Sequence, residues 1–171
     1  MVHAAQRGST EAIESLYRAH WARAHRAAYL IVQDASAAED IAQEAFLASV
    51  RALDRFDLRR PFGPWLHRIV VNRAIDLVRA RSLRAEVAAG SGEREGSPEL
   101  AASKRPEELS DRTSAAIAAL PADQRAAVVM RYLLEFTPGE IAEVLGLPRG
   151  TVNSRLRRGL DSLASELEDD R

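Results

Sequence analysis

The chain has no cysteine, which removes disulfides, thiolate catalysis and thiolate metal sites. Lysine is almost as scarce: Lys104 is the only one, so arginine carries the positive charge, a preference that reads as genome composition rather than function. Aromatic residues make up 5% of the 171, and extended runs of Val, Ile, Thr and Tyr are missing, which argues against a β fold. No stretch approaches the roughly 18 apolar residues of a membrane span, and the start, MVHAAQRGSTEA, lacks the apolar segment of a secretion signal. A cytoplasmic location is the expectation. His3, His20, His25 and His67 show no Glu-x-x-His pairing, and neither a glycine-rich phosphate loop nor a Ser/His/Asp signature is present. Catalytic residues, metal and cofactor are therefore expected to be none.

What the chain does have is patterned charge beneath a formal net charge of −1. Residues 51–84 hold nine arginines against three aspartates, and residues 146–160 hold four arginines and no acid. Residues 86–111 and 161–171 are each net −4. Two basic blocks set between acidic ones point to two separate polyanion-facing surfaces. Arginines that merely solvate helix faces are the alternative.

Helical periodicity covers most of the rest. From about Ser9 to Val32, Ile13, Leu16, Tyr17, His20, Trp21 and Ala24 share one face. Residues 36–53 open on a Ser36-x-x-Glu39 capping box and carry Ile41, Ala45, Phe46, Ala48 and Leu53. After the connector DRFDLRRPFGP, residues 65–84 form a third long helix burying Leu66, Ile69, Val70, Ile75 and Leu77. The segment that follows is rich in Gly, Ser, Pro and Glu and reads as a flexible linker. Four shorter helices are expected beyond it, starting near Leu109, Pro121, Thr137 and Pro148, with Thr137 and Glu140 forming a second capping box. The architecture is all-α: two small helical domains, 1–85 and 109–171, joined by a flexible acidic linker over 86–108.

TPGEIAEVLGLPRGTVNSRLRRGL carries the marks of a helix-turn-helix. Ile141 and Leu145 point inward, Ala142 is small enough for a close crossing, Gly146 permits a positive φ at the turn, and Pro148 starts the next helix. At 100° per residue Val152, Leu156, Leu160 and Leu163 fall within about 80° of one another, a stripe suited to burial. Ser154, Arg157 and Arg158 project oppositely, flanked by Asn153 and Arg155, and such side chains reach base edges or phosphates in a major groove. A helical hairpin with a solvated arginine face explains the charge but not the small crossing residue and the turn glycine.

AEDIAQEAFLASVRALDRF, then PFGPWLHRIVVNRAIDLVRAR, then the linker, then LPADQRAAVVMRYLLEFTPGEIAEVLGLPRGTVNSRLRRGLDSL together resemble the sigma-70 family of the extracytoplasmic function type. The motifs stand in the family's order and spacing over nearly all of both domains. The resemblance implies a promoter-specificity subunit of bacterial RNA polymerase, with a region 2 helical bundle and a region 4 helix-turn-helix. Asp40, Gln43 and Glu44 then match the surface that docks on the polymerase β′ coiled coil. The segment from Phe56 to Asn72 resembles the reader of a flipped base in the −10 element. Within it Asn72 supplies an amide for a base edge, and Arg59, Arg60, Arg68 and Arg73 supply charge for the strand. Phe62 and Trp65 are equally suited to stacking on a base and to wedging the connector onto the core. Pro61 and Pro64 depart from the family's typical loop.

Arg149, Thr151, Asn153, Ser154, Arg157 and Arg158 match the −35-reading helix. Asn153 stands where the family often has Arg or Lys, so an adenine contact replaces a guanine contact, with about 1–3 kcal/mol of discrimination at stake. Val128, Val129, Tyr132 and Leu133 are either core or a cover for the polymerase β flap. The implied partners are core RNA polymerase, promoter DNA and an anti-sigma factor, with no membrane insertion. The competing reading is a stand-alone helix-turn-helix transcriptional regulator.

Overall fold

A computed structural model describes residues 1–91 and 110–168. All of the described regular structure is helical. The first half contains α1 (Val2–Gln6), α2 (Thr10–Val32), α3 (Ala35–Arg51), a single 3-10 turn (Leu53–Arg55) and α4 (Phe62–Ser91). The second contains α5 (Asp111–Ala119), α6 (Ala122–Tyr132), α7 (Pro138–Leu145) and α8 (Arg149–Glu168).

Local chemistry sets most of these ends. Gly8, at φ 88°, separates α1 from α2, and the Ser9 hydroxyl accepts from the Ala12 N–H to start α2. The expected Ser36–Glu39 capping box does not form. Asp34 caps α3 instead, accepting from the Ala37 N–H at 3.0 Å, and its other oxygen pairs with Arg81 of α4 at 2.8 Å. An anionic cap complements the helix dipole and is held by a cation from a distant helix, which a serine could not match. The backbone N–H of Ala37 and the Arg81 guanidinium both hold the Asp34 carboxyl below its usual range. The α4 helix also runs further than expected, so residues 86–91 are helical rather than linker. The remainder of the expected linker, 92–108, lies outside the described residues.

In the first half α2, α3 and α4 pack around Leu16, Ala27, Ala28, Ile31, Ala38, Ala45, Leu66, Val70 and Val71. In the second, α5 to α8 pack around Ile117, Ala127, Met130, Ile141 and Val152. The two halves also touch directly, through α2 and α4 on one side and α5, α6 and α7 on the other.

Candidate nucleic-acid interface

The helix-turn-helix is assembled by local signals. Thr137 and Glu140 form the expected reciprocal capping box at the start of α7, and Gly146 ends that helix in the left-handed region at φ 65°. Val152 and Leu156 are buried as expected, but Leu160 is 39% exposed. Gly159 takes its place on the buried face, where a Cβ would meet Val128 Cγ2 at 2.8 Å. The crossing of α8 over α6 thus depends on a glycine that hydrophobic periodicity passes over. With the inner face occupied this way, Arg149, Asn153, Arg157 and Arg158 are exposed, while Thr151 and Ser154 are half-buried between them. Arg155 turns away from this face, its Nε 3.1 Å from Asp123 of α6.

The second candidate surface starts at the connector before α4. Gln6 of α1 donates its amide to the Leu53 and Phe56 carbonyls at 2.8 and 2.9 Å, fixing the connector's entry. Phe56, Phe62 and Trp65 then form a ring cluster with centroids 4.7 to 5.9 Å apart. Phe62 is buried, so its face is unavailable to a base in this conformation; it wedges the connector onto the core, whereas Trp65 stays half-exposed. Beneath them Gly63 lies against His20, where a Cβ would stand 3.1 Å from the His20 Cε1. His67 is buried at the same place with neither ring nitrogen hydrogen-bonded, and burial, assisted by His20 and Arg23, pushes its pKa down to about 4. Burial likewise lowers the pKa of His20.

At 100° per residue Trp65, Arg68 and Asn72 project from one flank of α4 within about 60° of arc. Asn72 is exposed. Arg59 and Arg60 are exposed on the connector, with Arg59 forked onto Asp57 through two bonds of 2.9 Å. Those bonds hold the Asp57 carboxyl below its ordinary value. Arg73 sits on the neighbouring flank, 2.6 Å from Glu44 of α3. Arg68 instead reaches Glu143 of α7 at 2.7 Å.

That pairing of Arg73 with Glu44 brings two candidate sites into contact. Asp40, Gln43 and Glu44 are exposed along α3, and Leu47, 47% exposed, follows one turn on along the same face. Leu47 was readable from its i+3 and i+4 spacing to Glu44 and Gln43, yet its apolar character invites a core assignment. On α6, Val128 and Val129 are buried core and Leu133 is half-buried; Tyr132, 59% exposed, is the residue of that group open to a partner. Among the described residues no group of three or more His, Asp or Glu is placed to hold a metal ion, and no helix is long and apolar enough to cross a membrane.

Residues 16–84 match the sigma-70 region 2 family and residues 110–163 match sigma-70, region 4. The ECF RNA polymerase sigma factor SigW of Bacillus subtilis is 34% identical over 96% of this chain and 93% of its own length. The chain belongs to the sigma-70 family. Within it the chain is of the extracytoplasmic function type: the ECF sigma factor SigM of Mycobacterium tuberculosis is also similar, 32% identical over 92% of this chain and 78% of the relative. Among solved structures, CnrH in complex with the cytosolic domain of CnrY aligns with a TM-score of 0.65 and 27% identity, over 99% of this chain and 96% of that one. RpoE of Bartonella quintana, solved with the anti-sigma factor NepR, shares the fold at a TM-score of 0.69 over 95% of this chain and all of that one, with 21% identity. The family matches fall on the two halves that bear the candidate reading surfaces, and the stand-alone regulator is not favoured.

Proposed function

We propose that this sigma factor directs core RNA polymerase to promoters by reading the −35 element as duplex through α8 and the −10 element as single strand through the connector and α4. The observation that carries the assignment is the exposure of an amide amid arginines on both surfaces. These are Asn153 with Arg149, Arg157 and Arg158 on α8, and Asn72 with Arg59 and Arg60 beside α4. An Asn side chain pairs bidentately with adenine in a major groove. On an unstacked base the same amide meets a Watson–Crick edge. Guanidinium groups hold the phosphates in each case.

Asp40, Gln43, Glu44 and Leu47 form the face offered to the polymerase β′ coiled coil, and Tyr132 the contact for the β flap. Leu47 supplies the apolar contact at one end of this face, and Asp40, Gln43 and Glu44 supply the polar ones. The factor works in the cytoplasm, performs no covalent step and needs no cofactor. By analogy with RpoE, solved with the anti-sigma factor NepR, an anti-sigma protein is its expected regulator.

Transcription with core polymerase on a randomised promoter pool tests the assignment. Enriched templates should share two conserved elements, and Asn72→Ala should erode only the downstream one while leaving assembly with polymerase intact. Failure of the wild-type chain to co-purify with core polymerase would instead favour a self-sufficient regulator.

A further inference from the structure

The connector before α4 is tied at its start to a side chain from α1. Leu53–Arg55 is one 3-10 turn, and the carbonyls at its end have no further helix to bond them. Gln6 Nε2 donates to the Leu53 carbonyl at 2.8 Å and to the Phe56 carbonyl at 2.9 Å, which uses both hydrogens of its amide. The Leu53 carbonyl also accepts from the Phe56 N–H at 3.1 Å, closing the turn. Gln6 is itself held in place. Its neighbour Ala5 is buried, and Val2 and Ala4 pack against the core. Gly8, at φ 88°, turns the chain so that α1 lies against both α2 and the 3-10 turn. A helix of five residues has no stability of its own, so these contacts give Gln6 its position.

The Phe56 carbonyl belongs to the planar peptide that joins Phe56 to Asp57, so Gln6 sets the orientation of that plane. Two branches leave it. On one side the Phe56 ring stands 4.7 Å from Trp65 and 5.9 Å from Phe62. On the other, the Asp57 carboxylate accepts from the Arg59 N–H at 3.0 Å and from the Arg59 Nε at 2.9 Å. The Asp57 carbonyl accepts from the Arg60 N–H at 2.9 Å. Residues 58–61 are exposed and take their place from the two ends of the connector. Phe62, buried, is the anchor at one end, and Gln6 is the anchor at the other.

We infer that Gln6 is a positioning residue for −10 selectivity: its amide orients the Phe56–Asp57 peptide, and through it Trp65, Arg59 and Arg60, without itself meeting the strand. The inference rests on the proposed function. Reading a captured base requires the contacting groups to be held to about 0.5 Å. Without the Gln6 donors the peptide turns toward water, and the aromatic and arginine branches lose their shared reference. Discrimination at the −10 element then falls, while the α8 surface, on the other half of the chain, keeps its own.

The test uses full-length Gln6→Met assembled with core polymerase, a variant that keeps the side chain's length and removes both donors. Each preparation transcribes one promoter recovered from the randomised pool and two versions of it, with a single base changed in the −10 or in the −35 element. Yield ratios within a preparation cancel the fraction of active factor, so a loss of folded protein alone leaves them unmoved. The −10 ratio should fall about threefold or more, and the −35 ratio should match wild type. The fall should persist on a template whose −10 segment is already unpaired, because reading rather than melting is affected. In the free chain, hydrogen exchange at the Phe56 and Arg60 amides should quicken, while buried Val70 and Val71 keep their protection. Should Gln6→Met lose its helical circular dichroism, Gln6→Glu at pH 8 decides, since a carboxylate of the same shape has no proton to donate.

A −10 ratio equal to wild type in a folded variant, equal falls at both elements, or a fall that vanishes on the unpaired template overturns the inference. Unchanged exchange at Phe56 and Arg60 overturns it as well, with no polymerase or DNA in the measurement. Failure of the proposed function shows separately, as a wild-type factor with no preference at the downstream element even though Gln6→Met alters the exchange.

Discussion

Arg157→Ala in α8 tests the sorting of arginines on the helix-turn-helix. Arg157 and Arg158 are exposed and make no ion pair among the described residues, whereas the Arg155 side chain is 24% exposed and tied to Asp123 at 3.1 Å. Each phosphate contact contributes about −0.9 to the slope of log affinity against log salt. Raising salt fourfold, from about 50 to 200 mM, therefore weakens binding by about 3.5-fold per contact. Polymerase carrying Arg157→Ala should lose that much less affinity than wild type over the range, and the Arg157→Ala, Arg158→Ala double variant about twelvefold less. Arg155→Ala should keep the wild-type slope and show its effect as a lower melting temperature. The assay is competition binding of the reconstituted holoenzyme to promoter duplex at four salt concentrations. The reasoning fails if Arg155→Ala flattens the slope as much as Arg157→Ala does.

His67→Phe should change how stability responds to acid. His67 is held neutral in the fold, with its pKa near 4 against an ordinary 6.5. Its contribution is complete above about pH 6.5 and is lost as pH falls toward 4, a swing of up to about 3 kcal/mol. In urea titrations across that window the phenylalanine variant should show a shallower acid limb. At pH 7 it should be at least as stable as wild type, because neither ring nitrogen has a hydrogen bond to lose. Gly159→Ala and Gly150→Ala should shift melting in opposite directions. The first gains about 1 kcal/mol of helix propensity but forces a contact at 2.8 Å with buried Val128, an overpacking cost of about 1–3 kcal/mol. Gly150 has nothing within 4 Å, so alanine there should raise the melting temperature by up to about 4 °C. Equal signs from the two would refute the account of the α6–α8 crossing.

Features decided within one turn of helix were legible in the sequence. Ser9 as the start of α2, the Thr137–Glu140 box and the Gly146 turn all follow from side chains acting on their own neighbours. The cap of α3 was not, because two local candidates compete. Ser36 offers the complete box motif, but Asp34 wins through Arg81, a partner 47 residues away that no local window contains. The α8 crossing was misplaced by one residue for a different reason. Periodicity weighs side chains, so Leu160 drew the assignment, whereas Gly159 makes the contact by having no side chain at all. The contact between the halves was invisible for a third reason. Arg125 binds backbone carbonyls, which almost every residue carries equally, so nothing in the sequence marks Ile31 as its acceptor.

The same distinction changes what the charge blocks mean. Counted along the chain, residues 51–84 are the more basic block. Counted in space, Arg59, Arg68, Arg73 and Arg81 of that block each face a carboxylate, on Asp57, Glu143, Glu44 and Asp34. In the C-terminal block, among the described residues, only Arg155 does so, and Arg149, Arg157 and Arg158 stay on the surface. Exposed ion pairs are worth at most about 1 kcal/mol each, so a DNA strand can displace them. Each displacement leaves a carboxylate near the phosphates, which weakens the net gain. On the proposed function, the −35 face meets DNA with its charge already available, while the −10 face must first shed its partners. One of those partners, Glu143, belongs to the helix-turn-helix itself. Under the proposed function, drawing the helix-turn-helix away from α4 frees Arg68 for the strand.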